Sequence, residues 1–263
     1  MDELIDLLPV ESVRLGARAA DWREAIAIAG GLMVEAGRTT AEYTAEMIAS
    51  VEENGPYIVV APGVAFAHAR PSPAVRATGM SWVRLAEPVA FGHETNDPVA
   101  LVVALAATDS GAHTSAMASL ARLLGDPAAT AALAAAPTPE ALRAVLGGDA
   151  ERPAPAAGKP TAAGPSLHKI LTVCGNGVGT SLFLKNTLEQ VLDRWGWSAY
   201  VTVEATDTIS AKGKASEAVA LLTSREIART LGDVGRPVKV VQDFTSTAEV
   251  DAVLRDTYDV RPS

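Results

Sequence analysis

The twenty residues from Gly147 to Ser166 contain four Pro, four Gly and six Ala, but no Leu, Ile, Val or aromatic side chain. Such a stretch buries too little apolar surface to offset the entropy of ordering it, so 147–166 reads as a flexible Ala/Pro/Gly linker. A flexible chain of that length spans roughly 25 Å on average. The rest of the 263 residues divides into an N-terminal domain, 1–146, and a C-terminal domain, 167–263, each large enough for its own core.

Charge follows the same division. Residues 1–146 carry nine Arg, no Lys and 17 acidic residues, whereas 167–263 carry 11 basic and 12 acidic ones. Neither part is basic, which argues against nucleic acid as a partner, because a phosphate backbone demands a positive footprint. The longest apolar stretch, Val99 to Ala107, is far short of the roughly twenty residues a membrane span needs. No charged and then apolar leader opens the chain, so a cytoplasmic location is expected. Cys174 is the single cysteine; it excludes an internal disulfide and any multi-thiolate metal site.

Hydropathy patterning in 1–146 predicts a short helix around Leu4–Leu8 and a helix from an Asp21 N-cap through Ala36, ended by Gly37. A third helix should be opened by a Thr39/Glu42 capping box and stop at Asn54–Gly55. Short apolar runs at Tyr57–Val60, Val64–Ala67, Met80–Leu85 and Leu101–Ala106 read as strands. Helical spacing returns at Ala112–Leu124, and Thr138 caps a last helix to Leu146. The expected architecture is α/β, a mixed sheet with helices on both faces. In 167–263 strands at Lys169–Val173, Ala199–Val203, Ala218–Leu222 and Val238–Val241 alternate with helices at Ser181–Trp195, from Ser224 and from Ser246. That alternation predicts a four-stranded parallel sheet.

The segment Cys174, Gly175, Asn176, Gly177, Val178, Gly179, Thr180, Ser181 joins the first of those strands to a helix, at the sheet end where open parallel sheets hold ligands. Its glycines let successive N–H groups turn inward and the helix terminus adds positive dipole, a P-loop-like cradle for a phosphate-sized dianion. The same field should favour a thiolate at Cys174. A dinucleotide fingerprint would need Gly where Thr180 stands. A Cys-x5-Arg phosphatase loop would need Arg there to clamp the phosphate. A structural cysteine beside a tight turn is the plain alternative, and a phosphocysteine relay fits the residues best.

Three histidines occupy the first part. His68, in APGVAFAHARP, ends a small-residue strand at a rim, and a neutral imidazole is a good phosphoryl acceptor. Arg70 is near enough to balance phosphate charge, though a merely solvated arginine is as plausible. His113 stands near the start of its helix, where free N–H groups favour an anion; packing or capping is the plainer role. His93 reads as a loop residue satisfied locally, and His168 as a linker-edge residue. No HExxH or His-x-His spacing supports a metal site, and neither metal nor cofactor is expected.

The strand with VCGNGVGTS resembles the enzyme IIB component of the bacterial sugar phosphotransferase system, in its ascorbate-type branch. The motifs PYIVVAPGVAFAHARP, FGHETNDPV and DSGAHTSAMASLARLL together resemble enzyme IIA of the fructose/mannitol superfamily, also ascorbate-type. The resemblance implies a phosphohistidine at His68, a second active-site histidine at His113, a phosphocysteine at Cys174 and a phosphate cradle from Gly175 to Ser181. It implies a phosphotransferase relaying phosphate from the phosphocarrier HPr to His68, then Cys174, then a sugar bound by a membrane enzyme IIC, with L-ascorbate or a related sugar acid or pentitol as substrate. The protein would then associate with the membrane through enzyme IIC. A homodimer stays open, as does the other functional class, a phosphorylation-state regulator that binds partners instead of feeding a transporter.

Overall fold

The computed structural model describes residues 2–147, 168–175 and 180–260. Of the expected linker only Gly147 falls among them.

The first half runs α1 (Asp2–Leu7), β1 (Val13–Ala17), α2 (Trp22–Glu35), α3 (Ala41–Asn54), β2 (Val59–Ala61), β3 (Val64–His68), β4 (Gly79–Val89), β5 (Val99–Ala106), α4 (Ser110–Leu124), α5 (Pro127–Ala135) and α6 (Pro139–Gly147). Its five strands lie in the order β1-β4-β5-β3-β2. Pairs β1/β4 and β3/β5 are parallel, and β4/β5 and β2/β3 antiparallel, which makes the sheet mixed. One face, with Phe66, Trp82 and Leu105, packs on α1, α4 and α6. The other, with Ala67, Val83 and Ala104, packs on α2 and α3. Helices therefore cover both faces, as the patterning predicts.

Local chemistry sets the helix starts. The Asp21 carboxylate accepts from the Glu24 amide at 2.9 Å and opens α2, while the Thr138 hydroxyl accepts from the Ala141 amide at 3.2 Å and opens α6. At α3 the expectation is off by one residue. Thr40 is the N-cap and Glu42 bonds back to it, whereas Thr39 is a buried bridge partner of Val75. Two short elements, β1 and α5, have no counterpart in the sequence reading.

The second half runs β6 (His168–Cys174), α7 (Ser181–Arg194), β7 (Val201–Asp207), α8 (Thr208–Lys214), β8 (Ala220–Thr223), α9 (Arg225–Leu231), β9 (Val238–Val240) and α10 (Thr247–Tyr258). All four strands are parallel, in the order β7-β6-β8-β9. Helices α7 and α10 cover one face and α8 and α9 the other. Strand β7 begins later and runs further than expected, to Asp207, whose carboxylate caps the unpredicted α8.

Apolar packing continues from one half into the other. The Phe66 and Phe183 rings lie 5.7 Å apart, and α4 packs along α7. The approach is close enough that a Cβ at Gly125 would sit 3.1 Å from the Asn186 amide. Backbone bonds cross the seam too: the Phe244 N–H donates to the Val60 carbonyl at 3.0 Å. The Asn96 side chain donates to Val59 O at 3.3 Å within its own half and to Gln242 O at 2.8 Å across it. Glu94 pairs with Arg225 and Arg229 at 3.2 and 3.6 Å, but all three side chains are about half exposed or more.

Burial decides which of these polar contacts matters. Removing a buried hydrogen-bonding side chain costs about 1–3 kcal/mol, whereas exposed ion pairs contribute about 0–1 kcal/mol. Asn96→Ala is therefore expected to lower stability in urea unfolding by the larger amount, and Glu94→Ala by the smaller. Equal losses would mean that the seam is held electrostatically instead.

Candidate functional site

His68 is the last residue of β3 (Val64–His68), next to Ala67. Its ring is 1% exposed. Nδ1 lies 3.0 Å from the Phe66 carbonyl, which can only accept, so Nδ1 carries the proton and donates. Nε2 is left with its lone pair and, though buried, has no hydrogen-bond partner among the described residues. Burial, aided by His113 alongside, pushes the imidazole pKa down to about 3. The ring is thus neutral at physiological pH with one nucleophilic nitrogen.

His113 stands beside it on α4, the two ring centroids 5.6 Å apart. Asp109 caps this helix through the Ala112 amide, and the His113 amide is itself bonded to Asp109 O. The anion-binding N–H groups expected there are thus partly engaged within the helix. What His113 offers is its ring: Nδ1 is buried without a partner among the described residues, and burial holds the ring's pKa below the usual value.

Cys174 ends β6 and is 1% exposed. Its Sγ donates to the Ser181 hydroxyl at 3.5 Å, and the Thr172 hydroxyl donates to Ser181 O at 2.9 Å, tying the start of α7 to the strand. Thr180 and Ser181 are buried, and Gly175 O accepts from the Thr208 hydroxyl at 3.3 Å. Asn176, Gly177, Val178 and Gly179 lie outside the described residues. Burial pushes the thiol pKa up; bonds to Ser181 and Thr180 pull it down, and Asp207 pushes it up again. The net direction is up. Among the described residues desolvation outweighs those bonds, since a buried charge loses more than a few hydrogen bonds return.

Two residues at this site went unnoticed in the sequence. Tyr57 is buried with its ring 6.0 Å from that of His68, edge to face, and its hydroxyl 2.7 Å from the Ser50 hydroxyl. Burial pushes its phenol up to about 12; the Ser50 bond and Arg70 oppose this and Cys174 adds to it. Tyr57 therefore feels both nucleophile-bearing halves. Asp207 faces Cys174 across the β6/β7 ladder. Burial works against its carboxylate, but bonds from Ser210 and Ile209 and the charge of Arg70 hold it below its ordinary value. Exposed Arg70, from the first half, thus acts on a carboxylate of the second. The other histidines lie apart: His93 Nδ1 accepts from the Thr95 and Asn96 amides at 3.3 and 3.1 Å, and His168 stacks on Tyr258.

The depressed pKa of His68 has a thermodynamic consequence. An unfolded histidine takes up its proton near about pH 6.5. Below that the unfolded chain binds a proton that folded His68 refuses until about pH 3, so stability falls as pH drops through that window. The slope is up to about 1.4 kcal/mol per pH unit. His68→Gln should flatten the change in urea midpoint between about pH 7 and about pH 5. A slope that survives the substitution would belong to another group.

Comparison with known proteins bears on the same two regions. Residues 6–147 match the model of the phosphoenolpyruvate-dependent sugar phosphotransferase system EIIA 2 family, and residues 169–256 that of the lactose/cellobiose-specific IIB subunit. The ascorbate-specific EIIA component of Salmonella choleraesuis (strain SC-B67) is 43% identical over 102 residues, 39% of this chain and 66% of that protein. Its counterpart in Escherichia coli K12 is 42% identical over 103 residues, 39% and 67% of the two chains. The chain thus spans about two-thirds of the length of the curated relatives it matches. Among solved structures, the cryptic mannitol-specific phosphotransferase enzyme IIA of Escherichia coli superposes with a TM-score of 0.50 at 31% identity, covering 55% of this chain and 97% of that one. With more than half of its length matched by the one model and most of the remainder by the other, the chain belongs to the EIIA 2 family of the sugar phosphotransferase system, fused to a IIB domain of lactose/cellobiose type.

Proposed function

We propose that this chain is the phosphoryl-transfer component of a sugar phosphotransferase system, accepting a phosphoryl group on His68 Nε2, passing it to Cys174 Sγ and delivering it to a sugar held by a membrane component. One observation carries the reading. The chain holds a buried imidazole nitrogen with no partner among the described residues and a single, buried cysteine, and Tyr57, whose ring flanks His68, feels the charge of Cys174.

The chemistry follows from the geometry. A phosphoryl group on Nε2 leaves Nδ1–H bonded to the Phe66 carbonyl, which fixes the ring while phosphorus is exchanged. The Cys174 thiolate attacks phosphorus opposite Nε2; the N–P bond breaks, its electron pair returns to Nε2, and the S–P bond forms. The thiol proton is lost to solvent beforehand, because burial under the seam disfavours the thiolate. Arg70 and His113 are the charge-balancing groups of this step, and the Gly175–Ser181 segment, including Asn176, Gly177, Val178 and Gly179, is the cradle for the transferred group. Both nucleophiles are buried where the halves meet, so phosphate can enter at His68 and leave from Cys174 only when the halves part. A linker over 147–166 joining domains 1–146 and 167–263 allows this and keeps acceptor near donor at a concentration on the order of millimolar.

Upstream, the partner is a phosphocarrier of the HPr kind. Downstream it is a membrane permease of the enzyme IIC kind, because both matched families are components of the sugar phosphotransferase system; among the described residues no helix is long and apolar enough to cross a membrane. L-ascorbate or a related sugar acid is the substrate class favoured, because the relatives of the first half are ascorbate-specific components. The chain would work in the cytoplasm, at the membrane through that permease.

The order of the relay is testable by intact-mass analysis after incubation with a phosphocarrier system and labelled donor. His68→Ala should leave the whole chain unlabelled, and Cys174→Ser should trap label on the first half, since a serine hydroxyl is a far weaker nucleophile at neutral pH. Mixing the two variants should restore Cys174 labelling at a rate that rises with concentration, the linker's advantage being lost. Label on Cys174 in His68→Ala alone would overturn the relay. Limited proteolysis should cut between Gly147 and Ser166 and leave two folded fragments; a fragment that no longer unfolds cooperatively would count against the domain boundaries.

A further inference from the structure

Tyr43 lies on α3, outside the segment around His68, and is completely buried. Its hydroxyl is 2.8 Å from the Leu105 carbonyl and 3.1 Å from the Ala69 carbonyl, and it accepts from the Ala69 N–H at 3.1 Å. These backbone groups frame the proposed acceptor: Ala69 directly follows His68, and Leu105 is the residue opposite His68 in the parallel β3/β5 ladder. The ladder ends at that pair. Beyond it the chain must turn away toward Pro71, and the Ala69 amide, buried, would lack a strand partner. A phenol is suited to the task, because one oxygen donates and accepts at once and burial raises its pKa, so the proton stays on.

We infer that Tyr43 is a positioning residue for phosphoryl transfer, its hydroxyl pinning the β3 terminus to β5 so that the His68 ring is held with Nδ1 on the Phe66 carbonyl and Nε2 free. The inference rests on the reading of His68 as the phosphoryl acceptor. The link is mechanical. His68 Nδ1 reaches back two residues to Phe66 O, a bond that survives only while the backbone from 66 to 69 keeps its extended course. The fixed points are the β3/β5 ladder on one side of His68 and the Tyr43 hydroxyl on the other. Loosening the second lets the imidazole swing, which mixes its two neutral tautomers and moves Nε2 off the line of attack.

The test uses the full-length chain and three variants: Tyr43→Phe, which removes only the hydroxyl; Ser81→Ala, which removes a buried hydroxyl bond to the Ala29 carbonyl on α2 and serves as the control for general destabilisation; and His68→Ala, for assignment. Nitrogen NMR of the histidine rings should show His68 as a single Nδ1–H tautomer in the parent and in Ser81→Ala, and as a mixture in Tyr43→Phe. Phosphoryl acceptance from a phosphocarrier system should fall about 10- to 100-fold in Tyr43→Phe, the scale on which a misplacement of about 1 Å slows a reaction, and stay within about two-fold in Ser81→Ala. An unchanged tautomer in Tyr43→Phe, or equal losses in the two variants, would overturn the inference. A changed tautomer in a chain whose parent accepts no phosphate would instead overturn the acceptor reading and leave the pin standing. Should Tyr43→Phe not fold, hydrogen exchange on the parent decides: the Ala69 amide should be protected like those of β5, and rapid exchange there would overturn the pin.

Discussion

A buried imidazole with one nitrogen committed to a carbonyl and the other without a partner among the described residues is the constraint around which this structure is arranged. Leaving such a nitrogen unsatisfied costs about 1–3 kcal/mol, and the surroundings of His68 maintain that state instead of relieving it. Tyr57 and Phe66 wall the ring with aromatic surface, His113 adds a second buried nitrogen, and Phe183 of the second half packs on Phe66.

The seam sets the second constraint, because it places the donor and acceptor bodies against each other through both apolar and polar contacts. Ring packing at Phe66 and Phe183 supplies contact area without direction. The bonds from Asn96 to Gln242 and from Phe244 to Val60 supply direction. Burial at the end of β6 also raises the pKa of Cys174.

Much of this was legible in the chain. The caps Asp21, Thr138, Ser224 and Ser246 mark helix starts because a short polar side chain before an apolar period has one strong local use. The Thr39/Thr40 slip shows the limit: two adjacent threonines each satisfy the cap rule, and only the bridge of Thr39 to Val75 separates them. Strand β1 (VRLGA) hides behind an arginine and a glycine, α5 is nearly all alanine and threonine and lacks a polar face, and α8 carries a glycine in seven residues. His68, His113 and Cys174 stand out by chemistry. Tyr57 does not, because a tyrosine leading an apolar strand looks like ordinary core. The seam is least legible of all: Phe66 and Phe183 each pass for residues of their own half, and nothing local encodes that they meet.

Strand β2 has a consequence of its own. It is three residues long and forms one margin of the five-stranded sheet; its Val59 carbonyl accepts from Asn96 of the same half and its Val60 carbonyl from Phe244 of the other. Without the second half the Val60 carbonyl loses its partner, and a sheet margin with a free backbone group is of the kind that recruits a strand from another molecule. Extreme brevity limits the hazard, since three residues give an incoming strand little to hold. The second half thus doubles as a guard against self-association, and a preparation of the first half alone would have to tolerate a bare sheet margin that the intact chain keeps covered at rest.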